Sequence, residues 1–320
     1  MALLKVSDIS KEGGVGLVLS NISFEQKKFQ KLVIAGETGS GKSTLLKIIA
    51  GLIQPDSGQV IFEGVEVLGP KDALVPGHSG IAYLSQHFDL QKFLRVEQIL
   101  EYANHLSEKD AANIFSICRI DHLLQRKTDE LSGGEKQRIA IARLLISNPT
   151  LLLLDEPFTN LDMVLKNILK KVIDDIGRKL KITCIMVSHD PADTLAWADE
   201  IIVLKDGRII QHGNPKAIYR QPANEYVAGL FGNYQILSAS QIKMLGIKTD
   251  QNSLIIRPED FRIRKKKEKN RFLVEEVKFY GNLFELKLVY RQFEIWIATT
   301  HDRFEAGDKV EISYIPARRN

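Results

Sequence analysis

The stretch "KLVIAGETGSGKSTLLKIIAGL", Lys31 to Leu52, decides how this chain is read. An apolar run, Lys31–Ala35, meets a glycine-rich turn that opens into apolar residues at helical spacing. Gly36-x-x-x-x-Gly41-Lys42-Ser43 is the spacing of a loop that wraps phosphates. Phosphate oxygens need many donors close by, and backbone N–H groups supply them only where no Cβ blocks the approach. Gly36, Gly39 and Gly41 leave that room, and Glu37, Thr38, Ser40 and Thr44 complete the cradle. Lys42 brings positive charge to the outer phosphates, and the Ser43 hydroxyl suits Mg²⁺. The helix that follows turns its amino end toward the anion. An ordinary glycine turn accounts for neither Lys42 nor the strand–loop–helix setting.

A magnesium–nucleotide site also needs an acid at the end of a neighbouring strand. "LLLLDEP" supplies Asp155 and Glu156 directly after four leucines. Asp155 suits the metal shell, usually through water, and Glu156 is placed to take a proton from an attacking water. Mere solubilising charge is the plainer reading, but it does not explain an acid pair at the end of a buried run.

The rest of the first 230 residues or so fits the same architecture. "GIAYLS" (80–85) and "ITCIMVS" (182–188) are apolar throughout, as strands buried on both faces are. "KSTLLKIIAGL", "QRIAIARLLIS" and "VLKNILKKVIDDIGRKL" are helical, so a mostly parallel sheet covered by helices is expected. From about 90 to 130 the chain is polar and helical with no buried strand, which marks an inserted helical subdomain. Beyond "GNPKAIYRQPANEYVAGLFGN" the texture changes to period two. "FLVEEVKFY", "LFELKLVY" and "FEIWIAT" read as strands of a small antiparallel β domain, with Phe284, Leu286 and Leu288 on one face. Gly281-Asn282 and Ala306-Gly307-Asp308 read as turns. The basic run "RIRKKKEKNR" (262–271) reads as a solvated loop between strands, with binding of an anion or lipid headgroups as the alternative.

Composition sets the outer bounds. The chain has 320 residues, 44% hydrophobic and 26% charged, which is room for two globular domains. A net charge of +4 does not by itself imply a nucleic-acid partner, and none is expected. No apolar run is long enough to span a bilayer, and "MALLKVSDIS" lacks the apolar centre of a secretion signal. Cys118 and Cys184 match no metal-ligand spacing and read as reduced thiols.

"LSGGEKQR", Leu131 to Arg138, carries a further reading. Ser132 and Glu135 form a capping box, and Gly133 and Gly134 leave the N–H groups at that helix start open to a second anion. A plain cap would explain Ser132 and Glu135 but not the paired glycines. This segment resembles the signature of ABC-type ATPases, and the resemblance extends over the first 230 residues or so. It implies an α/β P-loop NTPase fold with a helical subdomain, and ATP with Mg²⁺ as its ligands. Gln86 resembles the glutamine that senses Mg²⁺ and faces the transmembrane partner. "NLD" (160–162) resembles the D-loop, with Asp162 crossing a dimer interface, and His189 resembles the switch histidine at the γ-phosphate. The implied assembly is a head-to-tail homodimer, each ATP lying between the glycine loop of one copy and Ser132–Gly134 of the other.

One departure concerns adenine. Members of that family usually carry an aromatic residue near positions 12 to 14, where "SKEGGVG" has none; Val15 or Leu17 is left as an apolar platform, and weaker or less base-selective nucleotide binding is expected. The tail "GNPKAIYRQPANEYVAGLFG" resembles importer subunits for sugars, polyamines, ferric iron or oxyanions. "IIRPEDFRI" (255–263) and the strands after it resemble their OB-like TOBE domain. The expected organisation is therefore an ATPase domain over 1–233, with its helical subdomain at about 88–145, and a TOBE-like domain over 234–320. The resemblance implies an ATP hydrolase peripheral to the cytoplasmic face of a bacterial inner membrane. Its partners would be separate permease subunits and, indirectly, a periplasmic or surface solute-binding protein. A soluble ABC-type ATPase outside transport, or an exporter subunit, is the competing reading.

Overall fold

The computed structural model describes residues 2–14, 16–86, 90–265 and 272–315, and of Leu17 the main chain alone. Val15 and the Leu17 side chain, the stretch 87–89 beside Gln86, and 266–271 of the basic run lie outside the described residues. The chain divides into two compact units, Met1–Ile218 and Tyr219–Asn320.

The first unit opens with a long hairpin, β1 (Ala2–Gly13) and β2 (Gly16–Lys27), then β3 (Lys31–Ala35) and α1 (Lys42–Ile49). β4 (Ser57–Phe62), β5 (Val65–Glu66) and β6 (Ile81–Leu84) follow. The helical stretch is α2 (Val96–Ala103), α3 (Glu108–Cys118) and α4 (Gly133–Leu145). β7 (Leu151–Asp155), α5 (Met163–Lys179), β8 (Thr183–Val187), α6 (Pro191–Thr194), β9 (Glu200–Lys205) and β10 (Arg208–Gly213) complete it, and α7 (Pro215–Arg220) crosses into the second unit.

Among the described residues these strands form two sheets, ordered β2-β1-β4-β5 and β10-β9-β3-β8-β7-β6. In the larger sheet every neighbouring pair but β9–β10 is parallel. Its strands are apolar runs because both faces are buried, one of them sharing a core with α1 and with strands β1, β2 and β4: Leu151 to Leu154 are all fully buried, each contributing about 1.5–3 kcal/mol by leaving water. Among the described residues between β6 and β7 lie helices, 3₁₀ turns and one bridge, Arg95 to Lys127.

The antiparallel sheet of β2, β1, β4 and β5 is absent from the sequence reading, and its physical reason is visible. Register shifts interrupt β1–β2 between Val6 and Ile9, between Ile9 and Lys11, and between Lys11 and Glu12. Asp8 and Asn21 take φ of 54°, so the side-chain alternation that marks a strand is broken at each bulge.

In a parallel sheet the ligand-facing groups collect beyond the carboxyl ends of the strands. β3, β8, β7 and β6 are consecutive neighbours, and Ile34 and Asp155 both lie opposite Val187 while Leu154 pairs Leu84. The residues just past those ends, Gly36, Gln86, Glu156 and His189, therefore share one edge.

The second unit contains α8 (Glu225–Leu230), β11 (Gln235–Ser238), α9 (Ala239–Met244), β12 (Ser253–Ile256) and β13 (Phe261–Lys265). β14 (Phe272–Phe279), β15 (Phe284–Tyr290), β16 (Phe293–Thr299) and β17 (Lys309–Tyr314) follow. Five of these make an antiparallel sheet, β13-β17-β14-β15-β16, whose inward residues include Val274, Leu286, Leu288, Ile295 and Ile297. The loop reading of 262–271 needs correction where it is described. Arg262 to Lys265 belong to β13, because Phe261 and Ile263 are buried while Arg262 and Arg264 are exposed, a two-residue period. The division of the chain precedes residue 234, where the strand rhythm starts. Arg257 binds the carbonyls of Tyr219, Ala228, Gly232 and Asn233, which ties the preceding helical turn to this unit.

Candidate active site

The glycine loop has the form the spacing predicts. Gly36, Gly39 and Gly41 take positive φ of 155°, 86° and 96°. A Cβ on Gly36 would meet the Leu204 carbonyl oxygen at 2.3 Å, and one on Gly41 the Val18 carbonyl oxygen at 2.6 Å. At Gly39 a Cβ would meet nothing within 4 Å; it would project into open space over the cradle. Gly41 leads into α1 with no side-chain cap and no acid in the first turn, so the amino end of the helix is left to an outside anion. Glu37, Thr38 and Gly39 are exposed at the tip, Ser40 is buried, and Ser43 and Thr44 are partly exposed.

Lys42 is 5% exposed. Its Nζ donates to the carbonyls of Gly36 at 2.9 Å and Glu37 at 2.6 Å, and lies 3.4 Å from Ser40 Oγ. Burial holds its pKa below the ordinary lysine value, although the carboxylates of Glu156, Asp155 and Glu37 oppose the shift.

Asp155, 3% exposed at the end of β7, is gripped at both oxygens. Ser43 Oγ donates to Oδ1 at 2.9 Å, and the Tyr83 hydroxyl donates to Oδ2 at 2.9 Å. Burial first, then the charge of Asp155 and this bond, push the Tyr83 hydroxyl well above the ordinary tyrosine pKa, so it stays a donor. A hydroxyl beside a carboxylate is a set of hard oxygen ligands, and the donor set fits Mg²⁺.

Glu156 sits on a left-handed turn, φ 47°, a conformation that costs a non-glycine residue about 1–3 kcal/mol and recurs at functional sites. The turn aims its carboxylate across the sheet edge. Gln86 Nε2 lies 3.4 Å and Thr159 Oγ1 3.1 Å from Oε2, and His189 Nδ1 lies 3.4 Å from Oε1. Gln137, buried in α4, donates to the Pro157 carbonyl and so fixes the chain just past Glu156. A cavity of about 210 Å³ opens here, lined among others by Glu156, Thr159, Lys166, His189 and Asp190.

The structure thus gathers Lys42, Ser43, Gln86, Asp155, Glu156 and His189 of the expected set. Tyr83, Thr159 and Gln137 belong to the same constellation and were missed. Tyr83 had a signal, a lone hydroxyl in an apolar strand beside the acid strand; Thr159 and Gln137 act through contacts that no short motif encodes.

Ser132, Gly133, Gly134 and Asp162 stand apart from that cluster. Ser132 caps α4 in the expected box, with its N–H donating to Glu135 Oε2 at 2.8 Å and Glu135 N–H to its Oγ at 3.3 Å. Space is open around Gly133, whereas a Cβ on Gly134 would meet Leu165 of α5 at 3.2 Å. Asp162 caps α5, its Oδ1 accepting from Leu165 N–H at 2.9 Å.

A buried cation in a glycine loop, a hydroxyl–carboxylate pair and a strained glutamate held beside a histidine define a P-loop nucleotide hydrolase. The ABC transporter family profile matches residues 19–159. Over 98% of this chain, the spermidine/putrescine import ATP-binding protein of Clostridium acetobutylicum is 31% identical and is itself covered over 94% of its length. The protein of the same name in Mycoplasma mycoides is 30% identical over 98% of this chain and 96% of its own. Among solved structures, cbiO1 of Clostridium perfringens, part of an ABC transporter complex, is 31% identical with a TM-score of 0.60, covering 68% of this chain and 90% of that one. An ATP-binding cassette solved as a dimer in a post-hydrolysis state, bound to ADP and Pi, is 26% identical with a TM-score of 0.56 over 66% of this chain and 98% of that one. This chain belongs to the ABC transporter family, as an ATP-hydrolysing subunit of importer type with a TOBE-like second unit.

Proposed function

We propose that this chain drives polyamine import, hydrolysing ATP as one of two head-to-tail copies docked on permease subunits at the cytoplasmic face of the membrane. In this reading residues 1–233 form the ATPase domain and 234–320 the TOBE-like domain that steadies the pair. The observation that carries the chemistry is the placement of Glu156, with Oε2 beside Gln86 and Thr159 and Oε1 beside His189.

Residues 36–44 receive the phosphates of ATP, and Lys42 exchanges its loop carbonyls for phosphate oxygens. Ser43 and Asp155, with Gln86, would hold Mg²⁺. When bound, that ion neutralises charge building on the phosphate oxygens. Glu156 takes a proton from the attacking water while Thr159 keeps its carboxylate in place, and His189 stabilises the γ-phosphate. Ser132, Gly133 and Gly134 reach the ATP held by the partner copy, with Asp162 at the interface between copies. Gln86 couples the site to the permease, and a separate binding protein delivers the solute. Relatives matching nearly the whole chain are import proteins, which supports import over export or a role outside transport. Their printed substrates, spermidine and putrescine, support a polyamine.

Reconstitution with the neighbouring permease and binding protein tests the reading. Spermidine is expected to raise ATP turnover at least about fivefold over maltose or ferric citrate, on the scale of ordinary coupling energies. Stimulation by a sugar or an iron chelate, and not by spermidine, overturns the substrate; no ATP turnover in any arm overturns the hydrolase.

A further inference from the structure

The acids that follow His189 are bound by lysines of α5, and nothing in the hydrolysis scheme uses that contact. Lys166 lies one turn into the helix that Asp162 caps, and its N–H donates to the Asp162 carbonyl at 2.9 Å. Its side chain is 14% exposed, and its Nζ stands 2.5 Å from Asp190 Oδ2 and 2.9 Å from Asp193 Oδ2. Lys170, one turn further, reaches Asp193 Oδ1 at 2.6 Å. Asp193 is 2% exposed, and these two ammonium groups are its ion-pair partners in that buried setting. Both lysines also lie about 6 Å from the ring of Phe158, at 6.0 and 5.8 Å from its centroid. Asp190 is the residue after His189. Its Oδ1 caps α6 through Ala192 N–H at 2.9 Å, and its own N–H donates to Ser188 Oγ at 3.1 Å. The loop carrying His189 is therefore fastened on its far side to α5.

We propose that Lys166 is a positioning residue: through Asp190 and Asp193 it makes the turn at Asp162 and the loop of His189 move as one body. A displacement of Asp162 by the partner copy would then reach His189 without passing through the nucleotide. The proposal rests on the roles read above for Asp162 and His189.

Two lines of physics support a coupled pair over two independent salt bridges. Burial alone would lower the Lys166 pKa, yet its bonds to Asp190 and Asp193 outweigh that and raise it, so the ammonium stays charged. A clamp between a helix and a loop has few soft coordinates when the helix end is capped, and Asp162 supplies that cap.

The test uses the full chain, with Lys166→Met, Lys166→Arg and His189→Ala, alone and combined. Lys166→Met is expected to lower kcat about tenfold with the KM for ATP changed less than about twofold, the signature of a contact used in the transition state. Lys166→Arg is expected to recover most of the loss. In the Lys166→Met background, His189→Ala is expected to cost much less than in the wild type, because one route is already cut. Fully multiplicative effects, or a lowered thermal midpoint with kcat unchanged, overturn the proposal. Amide hydrogen exchange provides a readout independent of turnover. In Lys166→Met, or in Asp190→Asn should that variant not fold, the amides of Ala192 and Thr194 and those of Leu165 and Lys166 are expected to speed up together. Acceleration on one side only overturns the coupling. Absence of ATP turnover in the wild type refutes instead the hydrolase reading, and the exchange result still decides the clamp.

Discussion

Lys42 and Arg257 are both buried cations that rest on main-chain carbonyls, and they do opposite work. Lys42 is 5% and Arg257 4% exposed, and burial lowers the pKa of each. Lys42 donates to two carbonyls of a glycine turn, with open space at Gly39 and the carboxylates of Asp155 and Glu156 nearby. Arg257 donates to the carbonyls of Ala228 and Gly232 at 2.8 Å, Asn233 at 3.1 Å and Tyr219 at 3.3 Å. Its guanidinium also sits 4.3 Å from the Tyr219 ring centroid. The two terminal nitrogens of the planar fork are held by a fixed turn, while its buried Nε has no hydrogen-bond partner; the point charge of Lys42 rests on two loop carbonyls and can be re-paired by a phosphate. Burial of a charge is thus silent about function; what its partners would lose by letting go is informative.

That contrast breaks most visibly on removal of each cation. Lys42→Ala is expected to reduce ATP turnover by about a thousandfold or more, measured as phosphate release, while the thermal midpoint hardly moves. Arg257→Leu is expected to do the reverse. Four carbonyls would lose their donor, and at about 1–3 kcal/mol for a buried unsatisfied group the second unit should lose about 3 kcal/mol or more, read by urea denaturation. The turnover of the first unit should stay within about twofold. A collapse of turnover in Arg257→Leu with intact stability would erase the distinction.

Smaller changes sharpen it. An aromatic on the β1–β2 hairpin should tighten nucleotide binding without touching the phosphate end. Gly14 is the place for it: no atom lies within 4 Å of a Cβ there, while at Gly13 a Cβ would meet Val18 Cγ2 at 2.7 Å. Gly14→Tyr is expected to tighten ATP about tenfold by fluorescence titration, since stacking contributes about 1–3 kcal/mol per base. Unchanged affinity would mean that adenine is held elsewhere. Tyr83→Phe removes the donor to Asp155 Oδ2 and is expected to raise half-saturating Mg²⁺ about fivefold, from a bond of about 1 kcal/mol, with the midpoint of unfolding shifted little.

The sequence carried the parallel sheet because its strands are continuous apolar runs, and "KLVIA", "GIAYLS" and "ITCIMVS" coincide with β3, β6 and β8 to within a residue at each end. It did not carry the antiparallel sheet, where bulges at Asp8 and Asn21 break the alternation. Within the site, residues whose types are dictated by phosphate chemistry, Lys42, Ser43, Asp155 and Glu156, could be read singly. Thr159 and Gln137 could not, because a threonine three residues past an acid or a glutamine in a helix gains meaning only when the fold aims it at a carboxylate or a carbonyl. Arg257 was read as a family resemblance; its four carbonyl bonds supply the physical reason.

The proposed hydrolysis requires a second copy to close over ATP, and the mass of a hydrolysis-blocked variant tests that most directly. Glu156→Gln, weighed by light scattering after gel filtration, is expected to run as a single chain without nucleotide and as two chains with ATP and Mg²⁺, with ATP retained. A species of single mass that retains ATP would contradict the account.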